Sequence, residues 1–179
     1  MPRPVLVLQH APWERPGLID TALEGLACER RTVLDEDAPS LPRARDLAGL
    51  VVMGGPQDAD DDARHPGLAA ERRLLAEAVD AEVPVLAVCL GMQLLALALG
   101  ARLDKGAARQ IGFALGVQMH PEMEPALLAS WLDEPRMRTA LEPGQAARLA
   151  TEGEHVLPAL RGPVLAGLGA LHEAVVARG

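Results

Sequence analysis

Three short apolar runs limit what this chain can fold into: Val5-Leu6-Val7-Leu8, Leu50-Val51-Val52-Met53 and Pro84-Val85-Leu86-Ala87-Val88. None is interrupted by a polar residue, so each suits a strand covered on both faces rather than one with a wet side. Pro4 and Gln9-His10 bound the first, and Gly54-Gly55-Pro56 stops the second. Between the runs the spacing turns helical. Ile19, Leu23 and Leu26 recur at helix intervals, while Thr32-Val33-Leu34 reads as a further short strand. Leu68, Leu75 and Val79 share a helix face with Leu74 and Ala78 beside them, which leaves Glu71, Arg72, Arg73 and Glu77 to face water. Strands that alternate with helices in this way predict a doubly wound α/β fold, a mostly parallel sheet with helices on both faces.

The chain's 179 residues fit one domain over 1–179. Leu115 to Met119 reads as another strand, Pro125 opens a helix carrying Leu127, Leu128 and Trp131, and a helical extension begins near Pro143. Its stripe of Val164, Leu168, Leu171 and Val175 is suited to dock on the body. Because only 2% of residues are aromatic, the core must come from Leu, Val and Ala, which requires helices to approach closely. A net charge of −8 without a Lys or Arg run argues against nucleic acid and anionic membrane as partners. The N-terminus lacks a signal-peptide layout and no apolar run approaches the roughly 20 residues that span a bilayer. Cys28 and Cys89 lie far apart in unlike contexts, so a reducing, cytoplasmic location is expected, with Cys28 packed near a helix end. The acidic loop Asp58 to Asp62 has neither a Gly-anchored ligand pattern nor a distal Glu and reads as solvated, so neither a metal nor a cofactor is expected. His10 and His65 read as loop residues near the sheet edge, and His155 and His172 as surface.

The chemistry concentrates in Val85-Leu86-Ala87-Val88-Cys89-Leu90-Gly91-Met92-Gln93, where a buried strand turns into the nearly all-apolar helix Leu90 to Leu99, expected to be central. A cysteine at that bend occupies a nucleophile elbow, and the unpaired N–H groups of the helix N-terminus favour its thiolate. Gln118-Met119-His120-Pro121-Glu122 ends a strand with a base and a carboxylate two residues apart, both able to project from the carboxyl edge where open α/β sheets gather their catalytic groups. Cys89 would attack, His120 would take and return the proton, and Glu122 would fix the imidazole tautomer. Gly54-Gly55-Pro56 can present the Gly55 N–H to the oxyanion, with the Leu90 N–H as second donor.

Met53-Gly54-Gly55-Pro56, Val88-Cys89-Leu90-Gly91-Met92-Gln93 and Gln118-Met119-His120-Pro121-Glu122 together resemble the class I glutamine amidotransferases, in particular the stand-alone bacterial group similar to the amidotransferase domain of GMP synthase. Gln9-His10 and Asp60-Asp61-Asp62 to His65-Pro66 extend the likeness over most of residues 5 to 132. The resemblance implies a flavodoxin-like architecture and hydrolysis of glutamine, or of a γ-glutamyl compound, through a γ-glutamyl thioester. It also implies ammonia passed to a synthase partner. Cys89, His120 and Glu122 carry over as the triad, Gly55 and Leu90 as oxyanion donors, and Gln93 as a substrate contact.

Two departures from the pattern stand out. Ala87 replaces the glycine usual two residues before the nucleophile. Between Gly112 and Ala114 a segment on the order of fifty residues is missing, judged against typical domain size. The shortening predicts a triad still within reach but a substrate site open on the side of Lys105 to Phe113, or completed by a second chain, either the synthase partner or another copy in a homo-oligomer. Glutamine KM should then exceed the usual upper range of about 1 mM. A catalytically impaired binding or regulatory module, and a cysteine hydrolase of another small amide, are the competing readings.

Overall fold

The computed structural model describes residues 2–103 and 119–179. Strand β1 (Val5–Leu8), helix α1 (Leu18–Ala22), strand β2 (Cys28–Arg31), strand β3 (Gly49–Val52), helix α2 (Gly67–Asp80), strand β4 (Val85–Ala87) and helix α3 (Leu90–Ala98) follow one another. Helices α4 (Pro125–Leu132), α5 (Pro135–Ala140) and α6 (Gln145–Arg178) complete the order.

The four strands form one parallel sheet in the order β2-β1-β3-β4. Each apolar run feeds both faces, because successive side chains of a strand point to opposite sides. Leu6, Leu8, Leu50 and Val52 enter the core beneath α2 and α3, together with Leu68, Leu75 and Leu94. Val5, Val7, Val51 and Met53 enter the opposite core, where Leu18, Ile19, Leu168 and Val175 meet them from α1 and α6. The doubly wound α/β expectation therefore holds, and the sheet is parallel throughout the described residues.

Register sets the site. Leu8, Val52 and Ala87 are aligned across β1, β3 and β4, so the loops leaving those strands emerge side by side at the carboxyl edge. Gly91 makes the turn after β4 possible: a Cβ there would come within 2.8 Å of the Val52 carbonyl carbon. The Gly91 N–H reaches the Met53 carbonyl at 3.1 Å and the Val88 N–H reaches the Val52 carbonyl at 2.9 Å, which stitches the elbow to β3.

Four expectations need correction. The second strand is Cys28–Arg31, not Thr32-Val33-Leu34. Leu8 pairs with Arg31, where β1 ends, and the carbonyls of Val33 and Leu34 instead receive the N–H groups of Glu36 and Gly67. Cys28 is accordingly exposed on that outer strand and does not pack. On α2, Val79 is exposed while Leu74 and Ala78 are buried, which rotates the apolar face; Glu71 is buried rather than turned to water. Helix α3 is fully buried only at Leu90, Gly91 and Leu94. The expected strand from Leu115 lies outside the described residues apart from Met119, which sits in a bend. Among the described residues no helix is long and apolar enough to cross a membrane.

Candidate active site

Cys89 stands between β4 and α3 with φ 49° and ψ −105°, a positive φ that a side-chain-bearing residue adopts only under constraint. The stitching of Val88 and Gly91 to β3 supplies that constraint and leaves the thiol at the helix N-terminus. Gly54 and Gly55 pass directly beside it. A Cβ built on Gly54 would lie 3.5 Å from the Cys89 Cβ, and one on Gly55 would lie 2.6 Å from Cδ2 of Leu90. The two residues expected to donate to an oxyanion, Gly55 and Leu90, are thus neighbours. Gln93 falls in the first turn of α3 and is half-buried.

His120 enters the site from the segment ahead of α4. Its Nδ1–H donates to Oε1 of Glu122 at 2.8 Å, and Cys89 is hydrogen-bonded to the same ring. Burial alone would lower the affinity of this imidazole for its proton. The hydrogen bonds from Cys89 and Glu122, and the charge of both, outweigh that and push its pKa up to about 10. Glu122 is fully buried, and its Oε2 has no hydrogen-bond partner among the described residues. Its backbone is held from the other side: the Leu18 N–H donates to the Glu122 carbonyl at 3.1 Å, and Gly17, at φ 50°, leaves room where a Cβ would strike that carbonyl.

Three further residues shape the site without having stood out in the sequence. Trp131 on α4 meets the His120 ring edge-on, with centroids 4.7 Å apart at 79°, and its indole N–H donates to the Trp13 carbonyl at 2.8 Å. Its helical spacing with Leu127 and Leu128 gave it the appearance of an ordinary core residue. Glu71 accepts from His10 at 2.8 Å, and the other ring nitrogen of His10 donates to the Gly54 carbonyl at 3.0 Å. Burial works against a charged His10, but the hydrogen bond and charge of Glu71, with Gly54 and Glu14 adding to them, raise its pKa overall. The pair fixes the carbonyl of the Gly54-Gly55 turn. Glu14, in the loop after β1, is 7% exposed and puts its side chain against Gly54. The sign that could have marked it is its place in the loop leaving a strand's carboxyl end, where site residues collect.

His65 pairs with Asp35, His155 is exposed, and His172 bonds the Ala22 carbonyl; none of these reaches Cys89. Asp61 and Asp62 of the acidic loop pair with Arg64 and Arg72. Among the described residues no group of three or more His, Cys, Asp or Glu side chains could hold a metal ion. The expected open side from Lys105 to Phe113 lies outside the described residues.

A parallel α/β sheet with a cysteine at the elbow after β4 and a His-Glu pair beside it defines a class of cysteine-centred α/β proteins. Within that class, residues 21–113 match the model of the glutamine amidotransferase class-I family. The chain belongs to the class I glutamine amidotransferase family. The matched stretch includes Cys89 and Gln93 and ends before His120. Among curated proteins, the chain is 34% identical over 138 residues to a subunit of the glutamine-hydrolysing GMP synthase of Natronomonas pharaonis, over 76% of this chain and 65% of that protein. The corresponding GMP synthase subunit of Haloarcula marismortui is 41% identical over 70 residues, 39% of this chain and 31% of that one. The chain thus spans less than two thirds of the length of these relatives. Among solved structures, a glutamine amidotransferase from Thermotoga maritima superposes with a TM-score of 0.76 at 18% identity, over 98% of this chain and 99% of that one. A glutamine amido transferase from Methylobacillus flagellatus gives a TM-score of 0.71 at 22% identity, over 98% and 93%. Both support the fold.

Proposed function

We propose that the chain hydrolyses the carboxamide of glutamine, or of a related γ-glutamyl compound, and releases ammonia. The observation that carries this reading is His120, bonded to Glu122 through Nδ1 and to Cys89 on the same ring. In the first half-reaction the Cys89 sulfur bonds to the amide carbon and the carbonyl oxygen becomes an oxyanion facing the N–H groups of Gly55 and Leu90. The C–N bond breaks as His120 gives the nitrogen a proton, leaving a γ-glutamyl thioester. In the second half, water loses a proton to His120 and attacks the thioester, releasing glutamate and the thiol. Glu122 keeps the imidazole in one tautomer and offsets its charge throughout. Gln93, in the first turn of α3, is assigned to the substrate by its match to the family motif around Cys89. The curated relatives are each one subunit of a GMP synthase, which suggests a second, ammonia-consuming synthase chain as partner.

Incubating the purified protein with L-glutamine and measuring glutamate and ammonia tests the reading. Equimolar release that disappears in Cys89→Ala is expected. Release that persists in that variant would overturn it.

A further inference from the structure

Glu14 has no part in the chemistry just described, yet it sits at its centre. Its Oε2 is buried and has no hydrogen-bond partner among the described residues. A Cβ built on Gly54 would meet that oxygen first, then Cε1 of His120 at 2.9 Å and the Cys89 Cβ at 3.5 Å. The bare Gly54 backbone therefore lets a carboxyl into the space shared by nucleophile and base. Among the described residues the charged groups around it are His120, Glu122 and His10. The acidic one, Glu122, already takes the Nδ1–H of His120, and both ring nitrogens of His10 are engaged by Glu71 and Gly54. A buried carboxyl oxygen left this way loses its hydration without recovering a hydrogen bond, a cost that native structures usually offset with a partner from protein, water or ligand. Burial, with Glu122 adding to it, raises the pKa of Glu14, while the charges of His120 and His10 pull the other way.

What this oxygen lacks among the described residues is an N–H donor. Glu14 lies beside the His120 ring, the same ring that must hand a proton to the departing nitrogen. Resting on the function proposed above, we infer that Glu14 accepts a hydrogen bond from the N–H of the substrate carboxamide that leaves as ammonia, and so selects a primary amide over an ester at Cys89. The step balances without any proton reaching Glu14. Sulfur bonds to carbon, the C–N bond breaks, His120 supplies the third hydrogen of ammonia, and Glu14 only accepts from an N–H already present. An ester brings an oxygen with no hydrogen to that place and leaves the carboxyl unpartnered, the kind of mismatch that gives strong discrimination.

The test compares L-glutamine with L-glutamic acid γ-methyl ester in wild type and in Glu14→Leu, which keeps most of the side-chain volume and removes both acceptor oxygens. The amide-to-ester ratio of kcat/KM should fall at least tenfold in the variant. An unchanged ratio, whether both rates fall together or neither moves, would overturn the assignment. Alkylation of Cys89, followed by mass spectrometry of its peptide, separates this from the wider proposal because it needs no turnover. Wild type should prefer iodoacetamide over methyl iodoacetate more strongly than Glu14→Leu does. If the protein hydrolyses neither γ-glutamyl compound, the proposed function fails and the alkylation ratio alone decides for Glu14: an equal preference in both proteins rejects it.

Discussion

The indole N–H of Trp131 donates to the carbonyl of Trp13 across 118 residues of sequence, at 2.8 Å. Alongside the Leu18 N–H on the Glu122 carbonyl, it is a second tie between the stretch from β1 to the start of α1 and the stretch from His120 through α4. Because the same indole meets the His120 ring edge-on, Trp131→Phe should keep the ring contact and lose the tie, with a smaller fall in kcat than Trp131→Ala. Trp131→Ala should also destabilise, by no more than about 3 kcal/mol, the lower end for loss of a core aromatic, because Trp131 is only half-buried. Thermal melts paired with turnover measurements check both.

Cys89→Ala should abolish labelling by a γ-glutamyl electrophile and leave the fold intact, since one sulfur is a small loss of packing. Cys28, exposed on β2, is the internal control. It should react with a general thiol reagent in both proteins and with the γ-glutamyl reagent in neither.

His120→Ala should cost several powers of ten in kcat, whereas Glu122→Gln should cost less because it keeps some hydrogen bonding but loses the charge that stabilises an imidazolium. Rates over the full pH range decide. A Glu122→Gln enzyme as active as wild type throughout would reduce Glu122 to a packing residue.

Alkaline pH should weaken the fold through the same histidine. Its folded pKa of about 10 lies above the unfolded value of about 6.5, so its stabilisation is complete below about 6.5 and disappears as pH rises through about 10. The gap between the denaturant midpoints of wild type and His120→Ala, compared at steps from pH 6 to pH 10.5, should narrow toward the alkaline end.

Breaking the buried pair of His10 and Glu71 from one side should be severe. Glu71→Ala leaves His10 without its carboxylate in a nearly dry site, and about 3–5 kcal/mol of destabilisation is expected. A double-mutant cycle with His10→Ala, read by urea unfolding, should show that the two losses are not additive. Since His10 also holds the Gly54 carbonyl, residual folded protein should show a lower kcat.

Much of this was legible because the relevant signals are local. Val5–Leu8 begins and ends as a strand where its apolar run does, and the strand-to-helix change at Cys89 is written in consecutive residues. What escaped depends on partners distant in sequence. Glu71 lies on a helix whose neighbouring Arg72 and Arg73 suggest a wet face, and only the approach of His10 from another loop explains its burial. Glu14 was hidden for the same reason, since its setting is made by Gly54 and His120. Val33 and Leu34 have strand-like composition, but β1 stops at Leu8 and offers them nothing to pair with. The shortening expected between Gly112 and Ala114 falls outside the described residues.

Strand β2 pairs only with β1 among the described strands, so its outer backbone N–H and C=O groups are a template on which a second copy could extend the sheet. Glu29, Arg30 and Arg31 line that rim, and all of β2 is exposed or half-exposed. Long charged side chains lose solvation and freedom when stacked against a second strand. The rim therefore resists edge-to-edge association. Its one uncharged position is Cys28, so aggregation of concentrated protein under oxidising conditions would begin there as a disulfide between rims, and a reductant should prevent it.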